Sequence, residues 1–307
     1  MMTSASIPRE TAVIGLGSMG FGMAASLVRA GFAVRGCDLR PDIVASARAA
    51  GIDAGTDAAV AARGADTVVT VVVNAAQTDT VLFDNGVVGA IKPEGVIVSC
   101  ATMSPGDAKR LASKAAASGI DYLDAPISGG TTRAAEGALT VLTSGPAAVF
   151  AKARPVLAAM SETLYHLGNE IGTAAAFKIV NQLLAGVHIA AACEALAFAK
   201  KLNLDLAKVH EVISRSAGSS WMFQNRGAHV VEGDYAPRSA VEIFVKDLGI
   251  VEDIARAERF PAPLAGTALQ LFLMTASAGM GRDDDASVAR LYAKIAGLEL
   301  PGGTAEP

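Results

Sequence analysis

Between Thr11 and Gly168 the apolar positions come in short runs rich in valine, isoleucine and threonine, separated by segments that read as helices. The runs TAVIG (11–15), AVRGCD (33–38), TVVTVVV (67–73), VIVSC (96–100), IDYLDAPI (120–127), LTVLTSG (139–145) and LYHLG (164–168) are predicted strands. Alternation of this kind predicts a mostly parallel sheet with helices on both faces, a doubly wound α/β domain. After Gly168 the strand signals stop. One long helix is predicted from about 170 to 202, then helices near 205–215, 238–259, 263–279 and 285–296. Pro261 and Pro263 break the last long pattern, and GRDDDAS (281–287) turns into the final N-cap. The expected organisation is an α/β domain over 1–168 and an all-α domain over 169–307, with PGGTAEP (301–307) as a loose tail.

A chain of 307 residues exceeds the usual single core, which agrees with two domains. The balance of 26 basic and 30 acidic residues gives no electrostatic case for nucleic acid or an anionic membrane surface as partner. Cys37, Cys100 and Cys193 sit in apolar contexts without paired spacing, so free thiols in a reducing cytoplasm are expected. His166, His188, His210 and His229 make no metal pattern. MMTSASIPRE at the start has no basic segment leading into an apolar core, and no signal peptide is expected. The apolar stretch 183–199 contains His188 and Glu194 and is shorter than the ~20 residues a bilayer needs, so a buried helix is expected there. Its alanine-rich surface predicts a homodimer or homotetramer through the C-terminal helices.

Within that helix, AAAFKIVNQLLAGVH (174–188) is apolar nearly all round and yet carries Lys178, with Asn181 and Gln182 on the same face. A lysine there either lays its stem on apolar surface and reaches for water or is held in a cleft for proton transfer. The helix alone leaves both open.

The loop after the first strand supplies a ligand site. Gly15, Gly17 and Gly20 have the G-x-G-x-x-G spacing between a strand and a helix, the arrangement that holds a diphosphate at a helix N-terminus in a Rossmann-type domain. Asp38 closes the second strand about 20 residues beyond Gly17, where a carboxylate accepts the ribose hydroxyls and favours NAD over NADP. Arg40 weighs the other way, as a possible phosphate partner. LDAPISGGTTRAAEGALT (123–140) leaves a strand into a loop whose Ser128, Gly129 and Gly130 either receive an anion or make an ordinary turn.

Taken together, GLGSMGFGMA, DAPISGG with AAEGALT, KIVNQ, and KDLG at 246–249 resemble the β-hydroxyacid dehydrogenase (3-hydroxyisobutyrate dehydrogenase-like) family, in order and spacing over nearly the whole chain. The resemblance implies NAD as cofactor and a small hydroxy acid as substrate. It implies Lys178 as the catalytic residue, Ser128, Gly129 and Gly130 at the substrate carboxylate, Asn181 on the substrate, and Thr102 beside nicotinamide and substrate. It places the cofactor along Gly15, Leu16, Gly17, Ser18, Met19 and Gly20, at Asp38, at Val73 and Asn74, and near Lys246 and Asp247. Three positions depart from the family pattern: Ala174 stands where glycine is frequent, Val73–Asn74 replace a Leu-Pro pair, and Ala101 stands where serine is frequent.

NAAQTDTVLF, QLLAGVHIAAACEALAFA, SAGSSWMFQNR and GDYAPRSAVEIFVKDLG resemble the branch that oxidises a four-carbon sugar acid at carbon 2; Trp221 and Phe223 then either wall the site, with Asn225 or Arg226 reading distal hydroxyls, or are simply core of the helical domain. Asn181 instead matches the tartronate semialdehyde reductases, where the sugar-acid branch carries histidine. A non-catalytic nucleotide-binding protein on this fold is the remaining alternative, and loss of the lysine would be its signature.

Overall fold

The structure, a computed structural model, describes residues 10–303. The start of the chain and the last four residues of the expected tail lie outside the described residues. By its contacts the chain divides into two compact units, one running to Lys178 and the other beginning at Ile179.

The first unit is built on six parallel strands: β1 (Glu10–Ile14), β2 (Ala33–Cys37), β3 (Asp53–Gly55), β4 (Thr67–Thr70), β5 (Val96–Ser99) and β6 (Asp121–Asp124). Their order is β3-β2-β1-β4-β5-β6, with registers such as Val13 opposite Val69 and Val69 opposite Val98. Alternate side chains enter opposite cores: Val13, Val69 and Val98 pack with Met23, Leu27 and Leu157, whereas Ala12, Ile14, Val68 and Ile97 pack with Leu82 and Leu111. A sheet covered on both faces explains why its central strands read as unbroken apolar runs. The direction of the strand order reverses between β1 and β4, and in such sheets the crevice beyond the carboxyl ends at that point is where ligands bind.

The last predicted strands do not join this sheet. β7 (Ile127–Ser128), β8 (Leu139–Thr143) and β9 (Ser161–His166) form a separate three-stranded sheet, antiparallel between β7 and β8 and parallel between β8 and β9. IDYLDAPI, drawn as one strand, splits into β6 and β7 around Pro126, which has no N–H to donate to a ladder.

The second unit is helical. The helix Thr173–Lys201, 29 residues and about 43 Å long, enters it and is followed by Leu206–Ser214, Trp221–Glu232, Val241–Ala257, Pro263–Thr275 and Val288–Ala296. Ile189, Leu196, Phe244, Leu248 and Phe272 lie at the centre of its core. Thr173–Lys201 has the length and composition to cross a membrane, but 56% of its most apolar window is buried inside the protein, as in the core helix of a folded domain. Trp221–Glu232 is not among the expected helices. Ser220 caps it by accepting the Phe223 amide, and Gly227 lets His210 approach within 2.9 Å of where a Cβ would stand.

Candidate active site

The glycines after β1 divide by what surrounds them. Gly15 has φ +95°, and a Cβ there would stand 2.4 Å from the Val71 carbonyl oxygen, while one on Gly20 would stand 1.8 Å from that of Gly15. These two are required by the protein's own packing. A Cβ on Gly17 would meet nothing nearer than Arg40 Nη2 at 3.7 Å, so bareness at this position serves what approaches from outside. The helix Gly20–Arg29 begins at Met19 with no side-chain cap and no acidic residue in its first turn; the Phe21 amide donates to the Gly17 carbonyl at 3.1 Å, and the positive end of the dipole is left for an anion. Leu16 is buried in the core, and Ser18 is exposed.

Asp38 follows β2 and holds the loop from the other side. Its Oδ2 accepts the Leu16 amide at 3.0 Å, and its Oδ1 accepts the Arg40 amide at 3.0 Å and Arg40 Nε at 3.1 Å. Burial pushes its pKa up, but the Arg40 side chain and amide, the Arg40 charge and the Leu16 amide outweigh this and hold it below the usual carboxylate value. An ionised acceptor beside a bare glycine and an uncapped helix fits an adenosine ribose and a diphosphate.

Beyond β4, Val73 is half exposed and donates its amide to Gln77 Oε1 at 3.0 Å, while Asn74 Oδ1 caps the helix Ala75–Asp79 by accepting the Gln77 amide at 2.8 Å. Thr102 follows β5, two residues before Ser104 caps the helix Pro105–Ala117. Ser128 ends β7 opposite Thr140, and Gly129 and Gly130 take φ +138° and +77°, conformations that favour glycine. All three are partly exposed, and a Cβ on Gly130 would meet nothing within 4 Å.

The short helix Gly130–Glu136 that continues this loop packs on Gly20–Arg29. A Cβ on Gly22 would stand 2.7 Å from the Ala135 amide nitrogen, and Ser26 Oγ donates within 3.0 Å of the Gly22 carbonyl and 3.1 Å of the Ala134 carbonyl. Gly22 and Ser26 thus tie the Ser128–Gly130 loop to the nucleotide helix. Their signal in the sequence is a small-x-x-x-small spacing, readable only once the partner helix is known.

Lys178 is 7% exposed, so its side chain does not reach out into water as a surface lysine does. The start of its helix is held from within the first unit: Asp124 Oδ2 accepts the Gly172 and Ala175 amides, and Ser144 Oγ accepts the Ala174 amide. Asp124 opens the DAPISGG stretch, but neither that motif nor the surroundings of Ser144 announces a partner at the start of a distant helix.

In the second unit Asn181, Gln182, Lys246 and Asp247 come together. Asp247, 1% exposed, lies 2.6 Å from Lys246 Nζ through Oδ1 and accepts Gln182 Nε2 at 2.5 Å through Oδ2. Gln182 must therefore turn its oxygen the other way, where it accepts Asn181 Nδ2 at 3.0 Å. Two of the candidate residues of SSWMFQNR are buried. Phe223 is core, and Arg226 is buried against Asp285 at 2.6 Å and donates to Asn225, so neither stands ready to read a substrate; Trp221 is half exposed.

Residues 10–168 match the family described as the NAD-binding domain of 6-phosphogluconate dehydrogenase, and residues 172–292 match that described as the NAD-binding domain of NADP-dependent 3-hydroxyisobutyrate dehydrogenase. The chain is 49% identical over 296 residues to the L-threonate dehydrogenase of Cupriavidus necator, covering 96% of this chain and 98% of that one. It is 45% identical to the L-threonate dehydrogenase of Escherichia coli K12, over 94% and 96% of the two chains. A crystal structure described as 3-hydroxyisobutyrate dehydrogenase from Salmonella typhimurium superposes with a TM-score of 0.88 at 46% identity, covering 92% of this chain and 99% of that one. The chain belongs to the 3-hydroxyisobutyrate dehydrogenase-like family of NAD-dependent hydroxy acid dehydrogenases.

Proposed function

We propose that this enzyme oxidises L-threonate at carbon 2 to 2-dehydro-L-erythronate, with Lys178 as the general acid–base. The observation that carries the reading is a buried lysine on a helix whose first turn is bonded to the strand leading into the Ser128–Gly130 loop. The kinship with L-threonate dehydrogenases at 45–49% identity supports the substrate. Ser128, Gly129 and Gly130 receive the carboxylate and so orient the carbinol carbon, which converts an encounter into a fixed geometry. Lys178 takes the hydroxyl proton as the C–H bond breaks, and returns it in reduction. NAD, bound along Gly15–Gly20 and at Asp38, supplies the hydride acceptor. We assign Val73, Asn74, Lys246 and Asp247 to the cofactor, Asn181 to the substrate, and Thr102 to both, as the family resemblance implies. Asn181 presents its amide oxygen to a substrate hydroxyl, since its Nδ2 is engaged by Gln182.

A panel of L-threonate, D-glycerate and 3-hydroxyisobutyrate, and tartronate semialdehyde in the reductive direction, tests the substrate. L-Threonate is expected to give the highest kcat/KM among the acids. The reverse order moves the reading to the sister reaction that Asn181 in place of histidine favours. Lys178→Ala is expected to lower kcat by on the order of 10²–10⁴-fold with NADH affinity nearly unchanged. Near-normal turnover removes the acid–base role.

The exposed face of Thr173–Lys201 carries Phe177, Val180, Leu184 and Phe198, each at least half exposed in the single chain. We place a second copy of the chain there, as a cytoplasmic homodimer or homotetramer. A monomer by light scattering at micromolar concentration refutes it.

A further inference from the structure

Asp124 closes β6 and is 2% exposed. Its Oδ2 accepts three donors: Ser144 Oγ at 3.1 Å, the Gly172 amide at 3.2 Å and the Ala175 amide at 2.9 Å. Ser144 Oγ in turn accepts the Ala174 amide at 2.9 Å. An α-helix leaves its first four amides without partners in the helix, and here Asp124 at the end of β6 and Ser144 just after β8 take the amides of Ala174 and Ala175 in the first turn of Thr173–Lys201 and that of Gly172 just before it. Asp124 and Ser144 are also joined through the main chain, each amide donating to the other's carbonyl at 3.1 and 2.9 Å. Gly172 has φ +94°, and a Cβ there would lie 2.9 Å from the Pro105 carbonyl oxygen, so glycine lets the chain pass close enough.

We propose that Asp124, with Ser144 as its partner, is a positioning residue for catalysis: it clamps the first turn of the long helix to the end of β6 and so fixes Lys178 relative to the Ser128–Gly130 loop. The inference rests on Lys178 acting as the acid–base. Lys178 lies three residues beyond Ala175, about 4.5 Å along the helix axis. Ser128 lies four residues beyond Asp124 on a chain whose Ala125 amide is tied to the Ser99 carbonyl at 2.8 Å. Two amides three residues apart converge on one carboxylate oxygen, and a third meets the adjoining hydroxyl. The helix can neither turn nor slide without breaking one of these bonds.

Stability alone is a poor reason for this carboxylate. Burial pushes Asp124 up to about 6, against the pull of the Ala175 amide, Ser144 and the Gly172 amide, so its charge at neutral pH costs folding free energy. Elsewhere the chain caps helices with accessible local side chains such as Ser104 and Ser220.

The test compares Asp124→Ala, Asp124→Asn, Ser144→Ala and Lys178→Ala in the full chain. It reads kcat and KM on the best acid of the panel, NADH affinity by fluorescence, and amide exchange across residues 172–178. Asp124→Ala is expected to lose about 10²-fold in kcat, the scale of a small misplacement of a reacting group, with NADH affinity unchanged. Asp124→Asn keeps an oxygen that accepts the same donors, and is expected to stay within about threefold of the parent. Ser144→Ala is expected to speed exchange at Ala174 and lower kcat several-fold, which keeps the proposal testable if Asp124→Ala fails to fold.

Faster exchange at residues 172–175 with unchanged kcat overturns the clamp. So does Asp124→Asn binding NADH normally while losing as much kcat as Asp124→Ala, because charge rather than position would then be at work. If Lys178→Ala keeps its turnover, the acid–base reading falls and takes the clamp with it. If Lys178→Ala is inactive while the clamp variants are fully active, the clamp alone falls.

Discussion

Both units bury carboxylates, and they satisfy them by different means. In the first unit Asp38 and Asp124 stand at the carboxyl ends of strands and gather main-chain amides, from Leu16 and Arg40 in one case and Gly172 and Ala175 in the other. In the second, Asp284 and Asp285 of GRDDDAS meet nitrogen-bearing side chains: His229 Nδ1 is 2.8 Å from Asp284 Oδ1, and the Arg226 guanidinium Nε is 2.6 Å from Asp285 Oδ1. Asp284 also takes the Arg238 and Ala286 amides. An amide-bonded carboxylate fixes the path of a loop, whereas a cation-bonded one joins two helices. Buried charge alone therefore does not locate the chemistry of this enzyme, because the most buried arginine–carboxylate pair among the described residues, Arg226–Asp285, lies in the helical unit.

The sharpest way to break that contrast is to remove one partner of a helical pair. Arg226→Met leaves Asp285 buried without its cation and is expected to cost about 3–5 kcal/mol of unfolding free energy by urea titration. kcat per folded molecule should not change. Adding Asp285→Leu should recover much of the loss, since an apolar pair of similar volume is often no worse than a buried ion pair. A fall in kcat with stability intact would give Arg226 a role at the substrate and dissolve the distinction.

A second test follows from pH. Asp124 is raised from 3.8 to about 6 by burial, so its neutral form is favoured in the folded state. Its contribution to stability is therefore fully present below pH 3.8 and is lost as pH rises through about 6. Asp124→Asn does not titrate. Relative to the parent it should gain about 3 kcal/mol of stability between pH 4 and 7, with little further change above. Asp285, also pushed up to about 6 by burial despite Arg226, titrates with the same sign in both proteins and cancels in the difference. A difference that stays flat, or that grows as pH falls, would mean that the amides around Asp124 already outweigh its burial.

What the sequence reveals follows the same division between local and distant causes. The central strands are legible because a sheet buried on both faces makes continuous apolar runs, and the glycine loop with Asp38 is legible because its spacing is local. β3 has three residues, Asp53–Gly55, and no apolar run to mark it. LTVLTSG and LYHLG contain strands, but periodicity does not say which sheet a strand joins. Trp221–Glu232 is obscured by Asn225, Gly227 and His229, which interrupt its helical pattern, and Phe223 and Arg226 resemble site residues until Asp285 and the core around them are seen. The Asp124–Ser144 clamp and the Gln182–Asp247 contact join residues far apart in the chain, and no local pattern encodes a partner at that distance.

The smallest effect is expected where a cation-bonded carboxylate occurs outside the helical core. Arg40 holds Asp38 through Nε at 3.1 Å and Nη2 at 3.4 Å, but its own side chain is 57% exposed, unlike that of Arg226 at 11%. Exposed pairs contribute about 0–1 kcal/mol, so Arg40→Ala should leave urea stability almost unchanged. Asp38 keeps the Leu16 amide and the amide of residue 40, and the glycine loop should keep its path. Only cofactor choice should move. The guanidinium is the cation nearest Gly17, and a 2′-phosphate would draw on it, whereas the ribose hydroxyls of NAD need the carboxylate alone. Arg40→Ala is therefore expected to lower kcat/KM with NADP by roughly three- to tenfold, a cost of about 1 kcal/mol, while that with NAD changes less than twofold. An equal loss with both cofactors would show that Arg40 supports the loop itself, and that an exposed cation here carries the structural work that the amides are assigned.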